Sequence, residues 1–342
     1  MLKCLFFNPL LHFTKNFRSD IKGHSIFNYW VYTNLNNINL KNDFLNQSFR
    51  SIQGMPAELT EEQIAKILHG ISIPTQPQIL VDLQMEQIMP EPDITRIAKL
   101  IAKDVGLAGT MLKFVNSPFY GLSNKITSIE QSVSLLGINT VINILNGIAI
   151  KGEMSDENII ALTRFWDTAN DIAMVCATVA KKVGYPTPDE AYTLGLFHNT
   201  GIPLMMKKFD NYLDVMEKTY SGDHERIIDL ENEKFNTNHC VVGYYTGKSW
   251  NLPNHICQVI AEHHNTQQTF KARDGKNQNQ KTLLAILKLS EHICGNYKVL
   301  GLQDSDPEWD NNKKDILEHL GLTSYDIDEL KEIFSDMGIS VY

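Results

Sequence analysis

The feature that most constrains the fold of this chain is a succession of amphipathic helix patterns, which begins near residue 60. Apolar residues recur at the three- to four-residue spacing of one helix face, as after the candidate N-cap Asp93 in the series Ile94, Ile97, Ala98 and Ile101. No stretch alternates apolar and polar residues as a half-buried strand does, and no repeat of fixed period occurs. The sequence therefore predicts an all-α fold with essentially no sheet.

Capping residues locate several of the helix starts. Thr187 and Glu190 have the spacing of a capping box, and Pro188 stands between them at the first helical position. Asn139 is a candidate cap for an earlier helix. By contrast, residues 266–281 are polar and are predicted to form a mobile surface loop.

Two changes of character divide the chain. Residues 1–54 are rich in Asn and Phe and show no sustained period, whereas capped helix patterns begin just after Met55, so we expect a disordered or non-native extension there. The polar stretch 151–158 is typical of a connection between two helical lobes. The predicted segments are the extension at 1–54, an N-terminal helical bundle at 60–150, a second helical lobe at 158–300 and a C-terminal helical tail at 301–342.

Composition narrows the class of protein and its partners. The formal net charge is −9, which works against a nucleic-acid partner because phosphate binding needs a basic surface. The five cysteines are widely spread without a CxxC pair, which fits a reducing cytoplasm. No apolar run reaches the roughly 18 residues of a membrane helix. We therefore expect a cytoplasmic protein without nucleic-acid or membrane partners, and its oligomeric state stays open.

The second lobe directs polar side chains inward from helix faces that should be apolar. Four predicted helices do so, and the side chains are His198, His239, His263 with its neighbour His264, and Glu291. A single histidine of this kind is more often a hydrogen-bonded structural residue. Several that converge from separate helices are typical of the metal sites of helical bundles.

Anionic ligands are scarce in this set. Hard divalent ions in hydrolases need carboxylates, yet Glu291 is the only acidic member and His198 is followed by the neutral Asn199. The pattern therefore predicts no binuclear metal centre. It leaves room for a single, weakly bound divalent ion.

Four short motifs follow one another in the first lobe. They are Ile73-Pro74-Thr75-Gln76-Pro77, Lys103-Asp104-Val105-Gly106-Leu107, Asn116-Ser117-Pro118-Phe119-Tyr120-Gly121, and Ser128-Ile129 with Leu135-Leu136-Gly137. In their order and spacing they resemble the landmarks of the HDOD (HD-related output domain) family, and the resemblance covers about residues 71–296.

The second lobe resembles the HD metal-dependent phosphohydrolases, whose metal ligands include a first histidine, a His-Asp pair, further histidines and a late aspartate. Aligned on that pattern, the retained histidines are His198, His239, His263 and His264. The altered positions are Thr168 at the first histidine, Asn199 at the aspartate of the pair, Ile202 at a frequent lysine and Glu291 at the late aspartate. The resemblance therefore implies an HD-like lobe with a degenerate metal pocket.

The same resemblance implies a function without catalysis. We expect a bacterial signal-transduction module that contacts other signalling proteins and has no catalytic residue and no cofactor. One alternative is a residual HD-type phosphohydrolase for a nucleotide or cyclic dinucleotide, which would need a metal to lower the pKa of a bound water. Another is a sensor that binds a nucleotide or one metal ion without turnover.

Deletion of residues 1–54 should leave the melting temperature unchanged, because the capped helix patterns begin after Met55. A thermal melt of the shortened and full-length chains measures this. A drop of more than a few degrees would show that the segment packs on the core.

Overall fold

Helices make up all of the regular secondary structure in the part of the chain that the structure, a computed structural model, describes. The described residues are 61–117, 120–154, 160–271 and 278–342. The all-α fold class predicted from the sequence is therefore confirmed. Residues Ile67–Tyr342 form one compact unit. The unit Met1–Lys66 is described only from Glu61 onward, so the expectation for residues 1–54 lies outside the described residues.

The helices follow one another with short connections. The first six are α1 (Glu61–Leu68), α2 (Gln78–Gln87), α3 (Ile94–Ile101), α4 (Val105–Val115), α5 (Ile129–Leu136) and α6 (Ile138–Met154). The others are α7 (Ile160–Lys182), α8 (Pro188–Phe197), α9 (Gly201–Lys208), α10 (Tyr212–Thr219), α11 (Asp229–Phe235), α12 (His239–Ser249), α13 (Asn254–Glu262), α14 (Thr266–Lys271), α15 (Gln278–Ile293), α16 (Asn296–Val299), α17 (Pro307–Leu320) and α18 (Ser324–Asp336).

Two of the three cap predictions fail in detail. Asp93 caps α3 as predicted, since its carboxylate accepts hydrogen bonds from the next turn's backbone. Asn139 instead lies inside α6, and its Oδ1 accepts a hydrogen bond from Gln87 Nε2 at 2.6 Å. Thr187 does precede α8, but its hydroxyl donates to the Glu190 carboxylate at 2.7 Å rather than accepting from the backbone. In both cases the polar side chain bonds to another side chain and not to a free backbone N–H group.

The polar segments are more helical than the sequence indicates. α14 and the start of α15 occupy both described ends of the predicted loop at 266–281, so that prediction is wrong there. α6 continues to Met154, through the first half of the predicted connection at 151–158. The division into lobes at 60–150 and 158–300, with the tail at 301–342, stays a prediction.

The first group of helices, α2 to α6, packs around a shared apolar core. Its fully buried residues include Ile97, Ile101, Val141, Ile144 and Leu145. The helical spacing of Ile97 and Ile101 is the one that the sequence pattern shows, so burial follows directly from the periodicity. Helix α6 then contacts α8, which continues the packing into the following helices.

Helix α8 lies at the centre of the second group. It packs against α7, α13 and α15, and its residues from Ala191 to Phe197 are all buried. Close helix approach depends on residues without bulk. A Cβ at Gly195 would collide with the backbone of Ala173 on α7. The same packing places the end of α8 beside the start of α12 and the end of α13, where the predicted histidines lie.

Within the described residues, no single helix is long and apolar enough to span a membrane. Helices α5 and α6 reach the length and apolar composition of a membrane-spanning helix only when they are taken together, and they are bent by 115° relative to each other.

Gly201→Ala should destabilise the protein by about 2 to 3 kcal/mol, because the added Cβ would collide with the backbone oxygen of His239. Gly109→Ala is the matched control, since nothing lies within 4 Å of its Cβ position and alanine favours the helix by about 0.5 to 1 kcal/mol. Urea denaturation of both variants measures the difference. Equal stabilities would mean that α9 and α12 are not in close contact.

Candidate functional site

Four histidines meet in the interior of the unit Ile67–Tyr342. Ring centroids lie 5.4 Å apart for His198 and His263, 5.3 Å for His239 and His263, and 4.2 Å for His263 and His264. The side chains are almost inaccessible to solvent. His198 ends α8, His239 begins α12, and the other two follow α13. The structure thus brings together the histidines that the sequence pattern singles out.

Each of these histidines is held through its Nδ1 atom by a protein oxygen. Because carbonyl and carboxylate oxygens only accept hydrogen bonds, each Nδ1 carries a hydrogen, and in a neutral ring Nε2 is then an acceptor. His198 differs from the others, since its Nε2 faces a carboxylate oxygen of Glu291. The Nδ1 partners are Gly195 O for His198 at 2.6 Å, Glu231 Oε2 for His239 at 2.8 Å, Ile260 O for His263 at 2.7 Å and Glu308 Oε2 for His264 at 3.0 Å.

Asn199 and Cys240 complete the histidine side of the site. The Asn199 side-chain oxygen lies 3.2 Å from His263 Nε2. The Cys240 sulfur lies 3.7 Å from His239 Nε2 and 3.9 Å from His263 Nε2. One ligand atom from each of His239, Cys240, His263 and His264 lies within 4.8 Å of the others, so this cluster could bind a metal ion. Sequence reasoning missed Cys240, although its place directly after His239 was the available signal.

Glu291 belongs to the same site, on α15. Its Oε1 lies 3.3 Å from His198 Nε2 and accepts a hydrogen bond from Asn296 Nδ2 at 3.0 Å. Thr168 is half-buried on α7, and no hydrogen bond joins it to this cluster in the described part of the chain, so its place in the pocket stays a prediction.

Lys288 is the member of the site that the sequence analysis missed. Its ammonium nitrogen lies 2.8 Å from Glu291 Oε2, 3.0 Å from Glu308 Oε2 and 3.3 Å from His264 Nδ1. Only 4% of its side chain is exposed. A signal was present, because Lys288 stands one helical turn from both Leu284 and Glu291 on the inward face of α15.

The site also holds more carboxylates than predicted. Glu231, on α11, accepts hydrogen bonds from the Tyr212 hydroxyl at 2.6 Å and from the backbone N–H of His239 at 2.9 Å. Glu308, on α17, accepts from Thr266 and from Lys288. The expectation of a single carboxylate, Glu291, is therefore wrong. The two others come from helices whose own periodicity gives no hint that they reach this cluster.

Burial and ion pairing set the charges in opposite directions. Burial alone would raise the pKa of Glu291, but Lys288 and then His198 outweigh it and hold that pKa well below its usual range. Burial alone would lower the pKa of Lys288, yet Glu291 and Glu308 raise it. Burial also raises the pKa of the Cys240 thiol. Lys288 is thus a fixed internal cation between two carboxylates.

The histidines divide into two kinds. Burial lowers the pKa values of His263 and His264 well below the usual range, and the positive charge of Lys288 adds to the effect. Burial would also lower the pKa of His239, but the Glu231 carboxylate outweighs it and raises that pKa well above its usual range. The site therefore contains a His239–Glu231 ion pair beside two neutral imidazoles.

A polar cavity of about 200 Å³ borders this site. Its lining includes His264, Asn265, Glu308, Tyr220 and Arg226. The Arg226 guanidinium is already engaged, since it donates to Asn265 Oδ1 at 2.9 Å and pairs with Asp229 at the start of α11. The cavity connects the histidine cluster with polar groups that a small molecule could contact.

Comparison with known proteins gives the family. A model of the HDOD domain matches residues 73–266, which is more than half of the chain. The chain therefore belongs to the HDOD family, as its motifs indicate. An uncharacterized protein of Treponema pallidum (strain Nichols) is 26% identical over 197 residues, covering 56% of this chain and 38% of that protein. The chain spans about a third of the length of the curated relatives it matches.

Solved structures share the fold. A Shewanella amazonensis protein that is provisionally named a phosphohydrolase matches with a TM-score of 0.57 and 19% identity, over 80% of this chain and 94% of that one. A Marinobacter aquaeolei protein, provisionally named a signal transduction protein, matches with a TM-score of 0.52 and 17% identity, over 86% of this chain and 62% of that one. Identities this low show the fold alone.

The contribution of the histidine cluster to the stability of the metal-free protein should be highest near pH 6.5 and fall on both sides. As the pH falls below about 6.5, the unfolded chain binds protons at His263 and His264 that the native site resists, at about 1.4 kcal/mol per pH unit for each. As the pH rises above about 6.5, the unfolded chain loses the proton that the native protein keeps on His239.

Denaturation of variants across pH separates the two sides of this profile. His263→Asn should flatten the acid side, and His239→Asn should flatten the alkaline side. His255→Asn, at a partly exposed position outside the cluster, is the control. If His263→Asn left the acid side unchanged, the neutral state of that imidazole would be refuted.

Proposed function

We propose that this chain is a non-enzymatic signal-transduction module that acts through contacts with other signalling proteins. Membership of the HDOD family and the shared fold with a provisionally named signal transduction protein support the general class. The observation that carries the non-enzymatic part is the position of Lys288 between Glu291 and Glu308.

An internal ammonium ion acts against a hydrolytic metal centre at this place. Glu291 stands where the resemblance places a metal-binding aspartate, but its carboxylate is already paired with Lys288. Two unit charges about 4 Å apart interact by about 4 kcal/mol at an effective dielectric of about 20, and a dication doubles this. A divalent ion on Glu291 would therefore be repelled by Lys288 unless that side chain left the site.

The other groups also fit hydrolysis poorly. A catalytic metal needs an open coordination position for a water that it can acidify. Asn199 is neutral, and Thr168 is not bonded to the cluster in the described residues. The residues present therefore do not fit a binuclear centre, since two dications about 3.5 to 4 Å apart need several free anionic ligands.

Exposed apolar side chains support a role in protein contacts. Ile88 is 72% exposed, Met85 53% and Met89 48%, and the three lie at the end of α2. Apolar groups that cluster on a surface often mark an interaction site. These residues are distant in sequence from the histidine cluster. A partner protein would therefore bind at one part of the chain, and a signal would be received at another.

The alternatives rest on separate observations. A residual HD-type phosphohydrolase is favoured by the shared fold with the Shewanella protein. A sensor that binds a nucleotide or a metal ion is favoured by the cavity beside His264. Only the first of these predicts turnover of a cyclic dinucleotide by the purified protein with Mn²⁺, Mg²⁺ or Fe²⁺. Turnover by the wild type would overturn the non-enzymatic proposal.

Lys288→Met should destabilise the metal-free protein by about 3 to 5 kcal/mol, because it removes the cation shared by the buried Glu291 and the partly buried Glu308. Added Mn²⁺ should restore part of that stability in the variant, since the ion can take the place of the ammonium group. Lys313→Met, which removes an exposed surface ion pair, is the control. Its melting temperature should stay close to that of the wild type, and added Mn²⁺ should not raise it. Thermal melts with and without Mn²⁺ measure the effect.

Restoration of the HD pattern extends the same test. Thr168→His, Asn199→Asp and Glu291→Asp together should increase divalent-metal binding, measured by calorimetry, most strongly when Lys288→Met is added. If the fourfold variant folds and gains no metal, the alignment of this lobe on the HD pattern is wrong.

A further inference from the structure

We propose that His239, Cys240, His263 and His264 bind a single zinc ion in a closed, non-catalytic site. This inference deepens the proposed function, on which it rests, by assigning a ligand to the buried cluster. It differs from the hydrolytic pattern, because it uses a cysteine and leaves out Asn199, Glu291 and Thr168. The ion would be an input to the module or a structural brace, not a catalyst.

The distances suit zinc. Zinc bonds are about 2.3 Å to sulfur and about 2.0 to 2.1 Å to nitrogen, so neighbouring ligand atoms of a tetrahedral site lie about 3.3 to 3.6 Å apart. The Cys240 sulfur is already 3.7 Å from His239 Nε2; it lies 3.9 Å from His263 Nε2 and 3.4 Å from Nδ1 of the same ring. All four candidate ligand atoms lie within 4.8 Å of one another. Small side-chain rotations would therefore complete a tetrahedron.

The surrounding oxygens orient the ligands as they do in known zinc sites. A metal-binding histidine usually donates its second ring N–H to a carboxylate or a backbone carbonyl, which fixes the ligating nitrogen. Glu231 does this for His239, and Glu308 does it for His264. The Ile260 carbonyl does it for His263.

His264 carries the most direct sign of a missing ligand. Its Nε2 is buried and has no hydrogen-bond partner within the described part of the chain. Its Nδ1 lies near both Glu308 and the Lys288 ammonium. In one tautomer Nδ1 donates to Glu308, and in the other it accepts from Lys288. The Glu308 carboxylate only accepts hydrogen bonds, which favours the hydrogen on Nδ1 and leaves the Nε2 lone pair without a partner in the described residues.

Cysteine makes the site selective for softer metals. A thiolate with imidazoles favours zinc over magnesium or manganese, which prefer oxygen ligands. Binding would displace the protons from the Cys240 thiol and from His239, and the thiolate would offset part of the ion's charge. With four protein ligands no coordination position stays open for water, which is the arrangement of structural zinc sites.

The experiment uses the full-length chain stripped of metal and then titrated with Zn²⁺ and with Co²⁺. We expect one zinc ion per chain, a raised melting temperature and, with cobalt, the absorption of tetrahedral thiolate coordination. Cys240→Ser should abolish the thiolate absorption and weaken zinc binding at least tenfold. Cys257→Ser, also a buried cysteine, is the matched control and should bind as the wild type does.

His264→Asn is a second variant, which keeps the test decisive if Cys240→Ser does not fold. It should retain the thiolate absorption with cobalt but bind zinc more weakly. A wild type that binds no stoichiometric zinc, or a folded Cys240→Ser that binds it equally well, overturns the zinc site while the non-enzymatic function stands. Turnover of a cyclic dinucleotide by the zinc-loaded protein would instead refute the non-enzymatic function. It would also show that the zinc site is not closed and non-catalytic.

Discussion

The buried ion pairs of Lys288 constrain the arrangement of the helices around the site. A charge this deep in a protein must be neutralised by near neighbours, because desolvation costs several kcal/mol for each ion. Glu291, one turn further along α15, supplies one partner, and Glu308 on α17 supplies the other. The packing of α17 on α15 is thus also an electrostatic requirement. A helix of the C-terminal region thereby becomes part of the site.

The histidine cluster follows the same rule with neutral groups. His263 and His264 are too deeply buried to carry charge beside Lys288, so they persist as neutral rings tied by Nδ1 to protein oxygens. His239 keeps its charge because Glu231 is in contact with it. The site is therefore a network of paired charges in which the Nε2 atom of His264 has no partner within the described residues.

The fold leaves the chemistry of the site to a few side chains. The HDOD match shows the family, and the structural likeness to a provisionally named phosphohydrolase shows a shared helical scaffold. A scaffold sets where side chains stand, and the side chains decide which ion can bind. In this chain a lysine and a cysteine, Lys288 and Cys240, stand among the histidines.

The sequence by itself determined the all-α fold, the family and the histidines of the site, because these depend on helical periodicity, motif order and residues that point inward from apolar faces. The burial of Ile97 and Ile101 and the inward turn of His198 follow from spacing alone. Only the tertiary structure decided the charge balance. Glu231 and Glu308 reach the cluster from helices far apart in sequence, and no local pattern encodes such contacts. The role of Lys288 emerged with them, since a buried cation can be recognised only once its partners are known.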